Sequence, residues 1–181
     1  NARSELRWTP LHIAAREGDK EVAEGLLSEG AEVNARGILG KSPLHLAAAY
    51  GHTEMADLLM ATGANVNAKD DYGDTPRDLA VFGGHKDTVD LLLAGAAEVN
   101  VNGMRGHTPL HYAVLRGDKS VAEMLLANGV ETNVKDSKGR TPVDLAVRKG
   151  HTEMVALLKQ HGAKEGARST PEEGREDQQT G

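Results

Sequence analysis

Apolar residues recur along this chain in short blocks at helical spacing, and every block is bounded by the same polar and turn-forming residues. In His52-Thr53-Glu54-Met55-Ala56-Asp57-Leu58-Leu59-Met60 the apolar positions fall three and four apart, which predicts an amphipathic helix. A second kind of block opens on Ser or Thr followed by Pro. The hydroxyl can satisfy the orphan N–H groups of a helix start, and Pro at the first helical position has a suitable φ and wastes no donor. This helix is short, because a glycine nine residues after the Ser or Thr can take the left-handed conformation that ends helices. The longer helix that follows is predicted to end at Gly30, Gly63, Gly129 or Gly162. Links such as Ala64-Asn65-Val66-Asn67-Ala68-Lys69-Asp70-Asp71-Tyr72-Gly73-Asp74 carry the Asn, Asp and Gly of hairpin-like turns.

The blocks repeat. Thr9-Pro10, Ser42-Pro43, Thr75-Pro76, Thr108-Pro109 and Thr141-Pro142 are spaced by 33 residues, and Gly18, Gly51, Gly84, Gly117 and Gly150 keep that period, as do Asn34, Asn67, Asn100 and Asn133. Five units follow at about 4–36, 37–69, 70–102, 103–135 and 136–163, together one array over residues 1–163. Residues 164–181 form a separate polar tail. From Ala163 onward there is no Leu, Ile, Val or aromatic residue, so this segment cannot offset its ordering entropy by burial. Asn1-Ala2-Arg3 repeats Asn34-Ala35-Arg36 in phase, as though a further unit came before it.

Thr108-Pro109-Leu110-His111-Tyr112-Ala113 and Ser42-Pro43-Leu44-His45-Leu46-Ala47-Ala48 resemble the ankyrin-repeat signature, and the resemblance covers roughly residues 1–163. It implies an all-α solenoid of stacked helix-turn-helix units with β-hairpin-like turns, in which each unit buries its apolar face only against its neighbours. It also implies that His12, His45 and His111 hydrogen-bond back to the turn at the helix start. Units three and five depart from the signature with Arg77-Asp78 and Val143-Asp144, where Asp three residues after Thr suggests a capping box instead. In unit three Ala96 stands where the other units have the helix-ending glycine, so the cap is expected to shift to Gly95 or bear strain. With Gly83-Gly84 close by, unit three is expected to be the least rigid joint.

Composition narrows the function. The longest apolar run, Leu91 to Ala97, is far short of the roughly 20 residues of a membrane span, so no membrane insertion is expected. With no cysteine, disulfides, thiolate catalysis and Cys-ligated zinc are excluded. A net charge of −6 gives no global reason to bind nucleic acid or an anionic surface. The eight histidines fall mostly in two repeat phases, the second being His52, His85 and His151. Equivalent residues one unit apart are separated by about a helix diameter, ~10 Å, too far to share a metal at ~2.0–2.1 Å. Neither a nucleophile elbow nor a phosphate-binding glycine loop occurs. No catalytic residue, cofactor or metal is therefore assigned.

What the resemblance implies is binding on a concave surface made of the hairpin tips and the exposed ends of the short helices. Carried over unit by unit, that surface selects Leu6 and Trp8; Ile38, Leu39, Ala49 and Tyr50; Tyr72 and Phe82; Met104 and Leu115. Tyr112 is the one aromatic assigned inward, at the position of Leu46 and Leu79. Solvent-facing turns have no folding reason to collect aromatics, whereas hot spots are enriched in them. Charge is ordered as well. Unit three has seven acids and two bases, 2 − 7 = −5, while residues 136–163 have three acids and five bases, 5 − 3 = +2. Arg105, Arg116, Lys135, Lys138, Arg140, Arg148 and Lys149 fall at binding phases, so a partner should present apolar groups to units one to three and acids to units four and five.

The reading is a non-catalytic protein-protein interaction scaffold, a monomer, with the cytoplasm the favoured compartment. Two alternatives accompany it: the regulatory ankyrin segment of a larger enzyme or channel, and nucleic-acid binding through the basic units four and five. The acidic Glu172, Glu173, Glu176 and Asp177 of the tail are also placed to contact those basic units.

Overall fold

Each Ser/Thr-Pro pair starts a helix in the computed structural model, which describes residues 8–95, 103 and 106–165. Among these residues there are ten helices in five pairs: α1 (Pro10–Glu17) with α2 (Lys20–Ser28), α3 (Pro43–Tyr50) with α4 (Thr53–Ala61), α5 (Pro76–Gly83) with α6 (Lys86–Ala94), α7 (Pro109–Arg116) with α8 (Lys119–Ala127), and α9 (Pro142–Lys149) with α10 (Thr152–Gln160). No strand occurs among the described residues. The hairpin-like links are closed by backbone hydrogen bonds, Gly37 N to Lys41 O at 2.8 Å, Asp70 N to Asp74 O at 3.0 Å, Gly103 N to His107 O at 2.8 Å and Asp136 N to Arg140 O at 2.9 Å, each with a second bond inside the turn from Gly40, Gly73, Gly106 or Gly139 N back to the carbonyl three residues before it.

The odd-numbered helices form an inner row, each packed on the next, and the even-numbered helices form an outer row behind them. One apolar core runs through all five pairs, made of Leu, Val, Met and Ala with Tyr112 as its single fully enclosed aromatic. Small residues at Ala14, Ala47, Ala80, Ala113 and Ala146, all buried, let the inner helices approach closely. At each end of the described array a core position surfaces: Ile13 of the first pair is 47% exposed where Leu46 is 4%, and Val147 of the fifth is 46% exposed where Val114 is 0%.

All five inner helices begin with the same reciprocal cap, the hydroxyl of Thr9, Ser42, Thr75, Thr108 or Thr141 accepting a backbone N–H three residues on. The distinction expected from the sequence, a capping box only where Asp replaces His, is corrected here. His45 Nδ1 accepts the Ser42 amide at 3.1 Å just as an Asp78 carboxylate oxygen accepts the Thr75 amide at 2.8 Å. What the histidine adds is its second nitrogen, which reaches forward to the next link: His12 Nε2 to Lys41 O at 2.9 Å, His45 to Asp74 O and His111 to Arg140 O, both at 3.1 Å. Asp78 has no equivalent arm, so the junction of α5 with α7 lacks this bond.

Other periodic residues also tie one unit to another. His52 Nε2 reaches Arg16 O at 2.9 Å, His85 Nε2 reaches Ala49 O at 3.0 Å, and His151 Nδ1 reaches Val114 O at 3.1 Å. The Asn34 amide donates to Gly63 O at 3.0 Å and accepts from Asn65 N at 2.8 Å, and Asn133 does the same with Gly162 and Lys164. Both repeat histidine phases are thereby spent on structure.

Gly95 does not take over the helix-ending role. Its φ of −81° is right-handed, like those of Glu29, Thr62, Asn128 and His161 at the same phase, so the expected shift of the cap to Gly95 is not made. Ala96 lies outside the described residues.

At the junction of the third and fourth pairs, Tyr112 Oη donates to Asp74 Oδ1 at 3.0 Å, and its ring meets Phe82 edge-on at 5.9 Å. Burial and the neighbouring Asp74 carboxylate push the phenol well above its ordinary pKa, so it acts only as a donor. Tyr112→Phe is expected to cost about 1–3 kcal/mol, because a buried carboxylate oxygen loses a bond. Urea denaturation checks this, and an unchanged midpoint would mean the bond contributes nothing net.

Candidate functional site

The residues singled out from the sequence fall at two sets of repeat positions, the hairpin tips and the C-terminal ends of the inner helices. The first is the row of hairpin tips, carrying Leu39, Tyr72 and Lys138 at one common phase. Local hydrogen bonding explains how the tips are held. Asp70 Oδ1 accepts the amides of Tyr72 and Asp74 at 2.9 and 3.0 Å, and Asp136 Oδ1 accepts those of Lys138 and Arg140 at 2.8 and 2.9 Å. Each carboxylate folds its own turn and thereby fixes where the tip side chain stands. Burial raises the Asp136 pKa, but the Arg140 side chain and these two amides outweigh it and hold the group well below the usual carboxylate range.

The second pair's tip has Gly37 where the third and fifth have Asp70 and Asp136, and it is built differently from those two. Its chain makes a single 3₁₀ turn, Ile38–Gly40, with Leu39 at φ 56° and ψ 28°. Leu39 is the one non-glycine residue with positive φ among the described residues, a conformation that costs a leucine ~1–2 kcal/mol. The strain leaves Leu39 45% exposed beside Ile38 at 37%, and the Leu39 carbonyl accepts the Asp71 amide of the next tip at 2.9 Å.

The second row is formed by the C-terminal ends of the inner helices, where a left-handed glycine turns the chain away and leaves the last side chains in solvent. Here stand Tyr50 at 54% exposure, Phe82 at 60%, half-buried Leu115, and Arg148 and Lys149, both exposed. Tyr72 on the tips is 49% exposed. The Tyr50 ring stacks on His52 with centroids 6.3 Å apart.

Several of the chosen residues are engaged within the chain. Trp8 is half-buried against the core, with the Arg16 guanidinium 5.0 Å from its ring centre. Arg116 donates to Phe82 O at 2.8 Å and so holds the backbone under that aromatic. Arg140 pairs with Asp136 at 2.6 Å. Lys135, Lys138, Arg148 and Lys149 are exposed, and none has a carboxylate within ion-pair distance among the described residues. Leu6, Met104 and Arg105, and the acids of the tail, lie outside the described residues.

Apart from Asp136, the groups whose pKa is displaced lie elsewhere, between units. Burial lowers His12 and His111, lowers His45 to about 4, and raises Asp78 to about 6. They sit under the cap hydroxyls, enclosed by packed helices, where no substrate can reach them. Among the described residues no three His, Asp or Glu side chains are grouped to hold a metal ion.

Sequence reasoning missed the cross-unit ties of His52, His85 and Arg116. The only signal for them is the 33-residue phase itself, which gives no direction for a side chain.

A family model described as ankyrin repeats, in three copies, matches residues 11–103 and 84–169. No curated protein matches the chain.

Proposed function

The chain belongs to the ankyrin-repeat family, whose repeats are in general protein-protein interaction modules and typically non-catalytic, and on that premise we propose that it binds a protein partner through its concave side. The array of residues 1–163 carries the binding surface, and residues 164–181 are an appended polar tail. Ile38, Leu39, Tyr50, Tyr72 and Phe82 supply the apolar anchors, with Trp8, Met104 and Leu115 at the margins. Arg105, Lys138, Arg148 and Lys149 supply polar specificity, while Arg116 and Arg140, also selected from the sequence, are engaged by Phe82 O and Asp136.

One observation carries this reading. A chain with only five aromatic residues leaves three of them about half exposed or more, Tyr50, Tyr72 and Phe82, while its core is filled mainly with aliphatic side chains. A fully enclosed aromatic buries ~150–250 Å², so three that are about half exposed, with Ile38 and Leu39, can supply roughly half of the ~800 Å² per partner of a standard interface.

The test is affinity capture from the native source with wild type and with a Tyr50→Glu/Tyr72→Glu/Phe82→Glu variant. All three side chains are about half exposed or more, but Phe82 also meets Tyr112 and Tyr50 stacks on His52, so helicity and melting temperature of the variant are verified before capture. A protein retained by wild type and lost by the folded variant is the expected result. Equal capture by both would place the binding surface elsewhere.

A further inference from the structure

The two rows change character together along the array. Reading from the second pair to the fifth, the tips run from Leu39 through Tyr72 to Lys138, and the helix ends run from Tyr50 and Phe82 to Arg148 and Lys149. Apolar groups at one end give way to cations at the other on both rows at once.

Some cations in other places are neutralised within the chain, Arg36 by Asp71 at 2.9 Å, Lys41 by Asp70 at 2.6 Å and Lys119 by Glu153 at 3.2 Å, whereas Lys20, Lys69, Lys86, Lys135 and Lys164 are exposed with no carboxylate in ion-pair distance among the described residues. Lys138, Arg148 and Lys149 are exposed without such a partner among the described residues. The acids of their own unit are already occupied, Asp136 by Arg140 and its turn amides, Asp144 by the amide and hydroxyl of Thr141. A helix macrodipole favours Arg148 and Lys149 in the last turn of α9 by ~0.3–1 kcal/mol. It does nothing for Lys138, which is on a loop tip. Lys138, Arg148 and Lys149 are three like charges on a unit of net +2, with no carboxylate in ion-pair distance among the described residues, and they make a local positive potential that favours an incoming anion.

We infer that the partner is an extended acidic peptide segment, with apolar side chains over Tyr50, Tyr72 and Phe82 and carboxylates over Lys138, Arg148 and Lys149. The inference rests on the concave-face reading and adds the partner's chemistry and direction. Phe82 and Arg148 are at one phase, two units apart. At about a helix diameter of ~10 Å per unit that is roughly 20 Å, which about six extended residues span at ~3.3 Å each. The motif is therefore a pair of apolar residues followed, in one chain direction, by two or more Asp or Glu about six positions away. A nucleic acid fits less well, because its regular phosphate charge would also have to cross the third unit, net −5 with Asp71 exposed at its tip.

Selection of a displayed library of random 12-residue peptides on the immobilised full chain tests this, followed by fluorescence anisotropy of the selected peptides. Wild type is expected to enrich peptides with the stated spacing. Lys138→Glu/Arg148→Glu/Lys149→Glu should weaken the selected peptides about tenfold or more, and replacing their acids by Lys should restore binding to that variant. Circular dichroism verifies that the variant is folded, and the charge-swapped rescue separates complementarity from structural damage. Failure to enrich any peptide, enrichment without acids, or indifference to charge reversal would each overturn the inference. Indifference combined with loss in the Tyr50→Glu/Tyr72→Glu/Phe82→Glu variant would leave the concave reading standing, whereas binders unaffected by either variant would sink both. A 20-nucleotide single-stranded DNA that displaces the peptides, with a steeper salt dependence, would assign the cations to nucleic acid and overturn it as well.

Discussion

In the Asp78→Asn variant, the stability difference between pH 7 and pH 4.5 is expected to grow by about 2 kcal/mol over wild type, and in His45→Gln to shrink by about 2–3 kcal/mol. The two side chains sit at the same phase of neighbouring inner helices, and burial displaces them in opposite senses. His45 is lowered to about 4 from 6.5. Its Nδ1 accepts the Ser42 amide, so a proton there would face a donor, while Nε2 already meets Asp74 O. The unfolded chain thus binds the proton more tightly, and this stability is whole above pH 6.5 and lost as pH falls toward 4.

Asp78 behaves the other way. Its pKa is raised from 3.8 to about 6 by burial, against the opposing Thr75 hydrogen bonds and the Arg77 charge. A raised carboxylate favours the folded state most below pH 3.8, and that contribution is lost as pH rises through 6. From pH 7 down to 4.5 the wild type therefore loses on His45 and regains a similar amount on Asp78. His12 and His111, lowered in the same way as His45, tip the balance toward net acid destabilisation. Urea denaturation of the three proteins at pH 7, 6, 5 and 4.5 reads the effect directly. Parallel pH profiles for all three would show that neither group carries the dependence.

Gly51→Ala is expected to destabilise the chain by about 3 kcal/mol, and Gly150→Ala by only about 1–2 kcal/mol. Both glycines end an inner helix in the left-handed conformation, φ 73° at Gly51 and 72° at Gly150, so the backbone strain introduced by a Cβ is the same. Their surroundings differ. A Cβ on Gly51 would run into the His85 imidazole, with Cγ at 2.6 Å, whereas on Gly150 it would meet no described atom within 4 Å. Moving the His85 ring breaks its bond to Ala49 O, a tie between successive units. Thermal or urea unfolding of the pair isolates that tie. Equal losses would mean the imidazole yields at no cost.

The helix starts were legible at each Ser/Thr-Pro pair because capping is a local event, settled within three residues. Inner-helix glycines were legible for the same reason, since only a residue without Cβ enters the left-handed region freely. Gly95 was misjudged because its conformation follows its place one residue before the usual helix-ending glycine, not its identity. The candidate surface was legible as a set of positions, but which cations stay available was not. Arg116 and Arg148 look alike in sequence, yet Arg116 is held by the Phe82 carbonyl 34 residues away and Arg148 has no such tie among the described residues.

Taken alone, the sequence determined the repeat period, the helix pairs, the family and the absence of thiol chemistry, because these depend on residue type at fixed local spacing. Only the tertiary structure decided which histidine nitrogen reaches the next unit, that Arg140 is consumed by Asp136, and that Leu39 bears a left-handed strain at an exposed tip. The reason is physical. Capping and periodicity involve neighbours along the chain, whereas a side chain's last hydrogen bond and its exposure depend on what the adjacent unit places within about 3 Å of it.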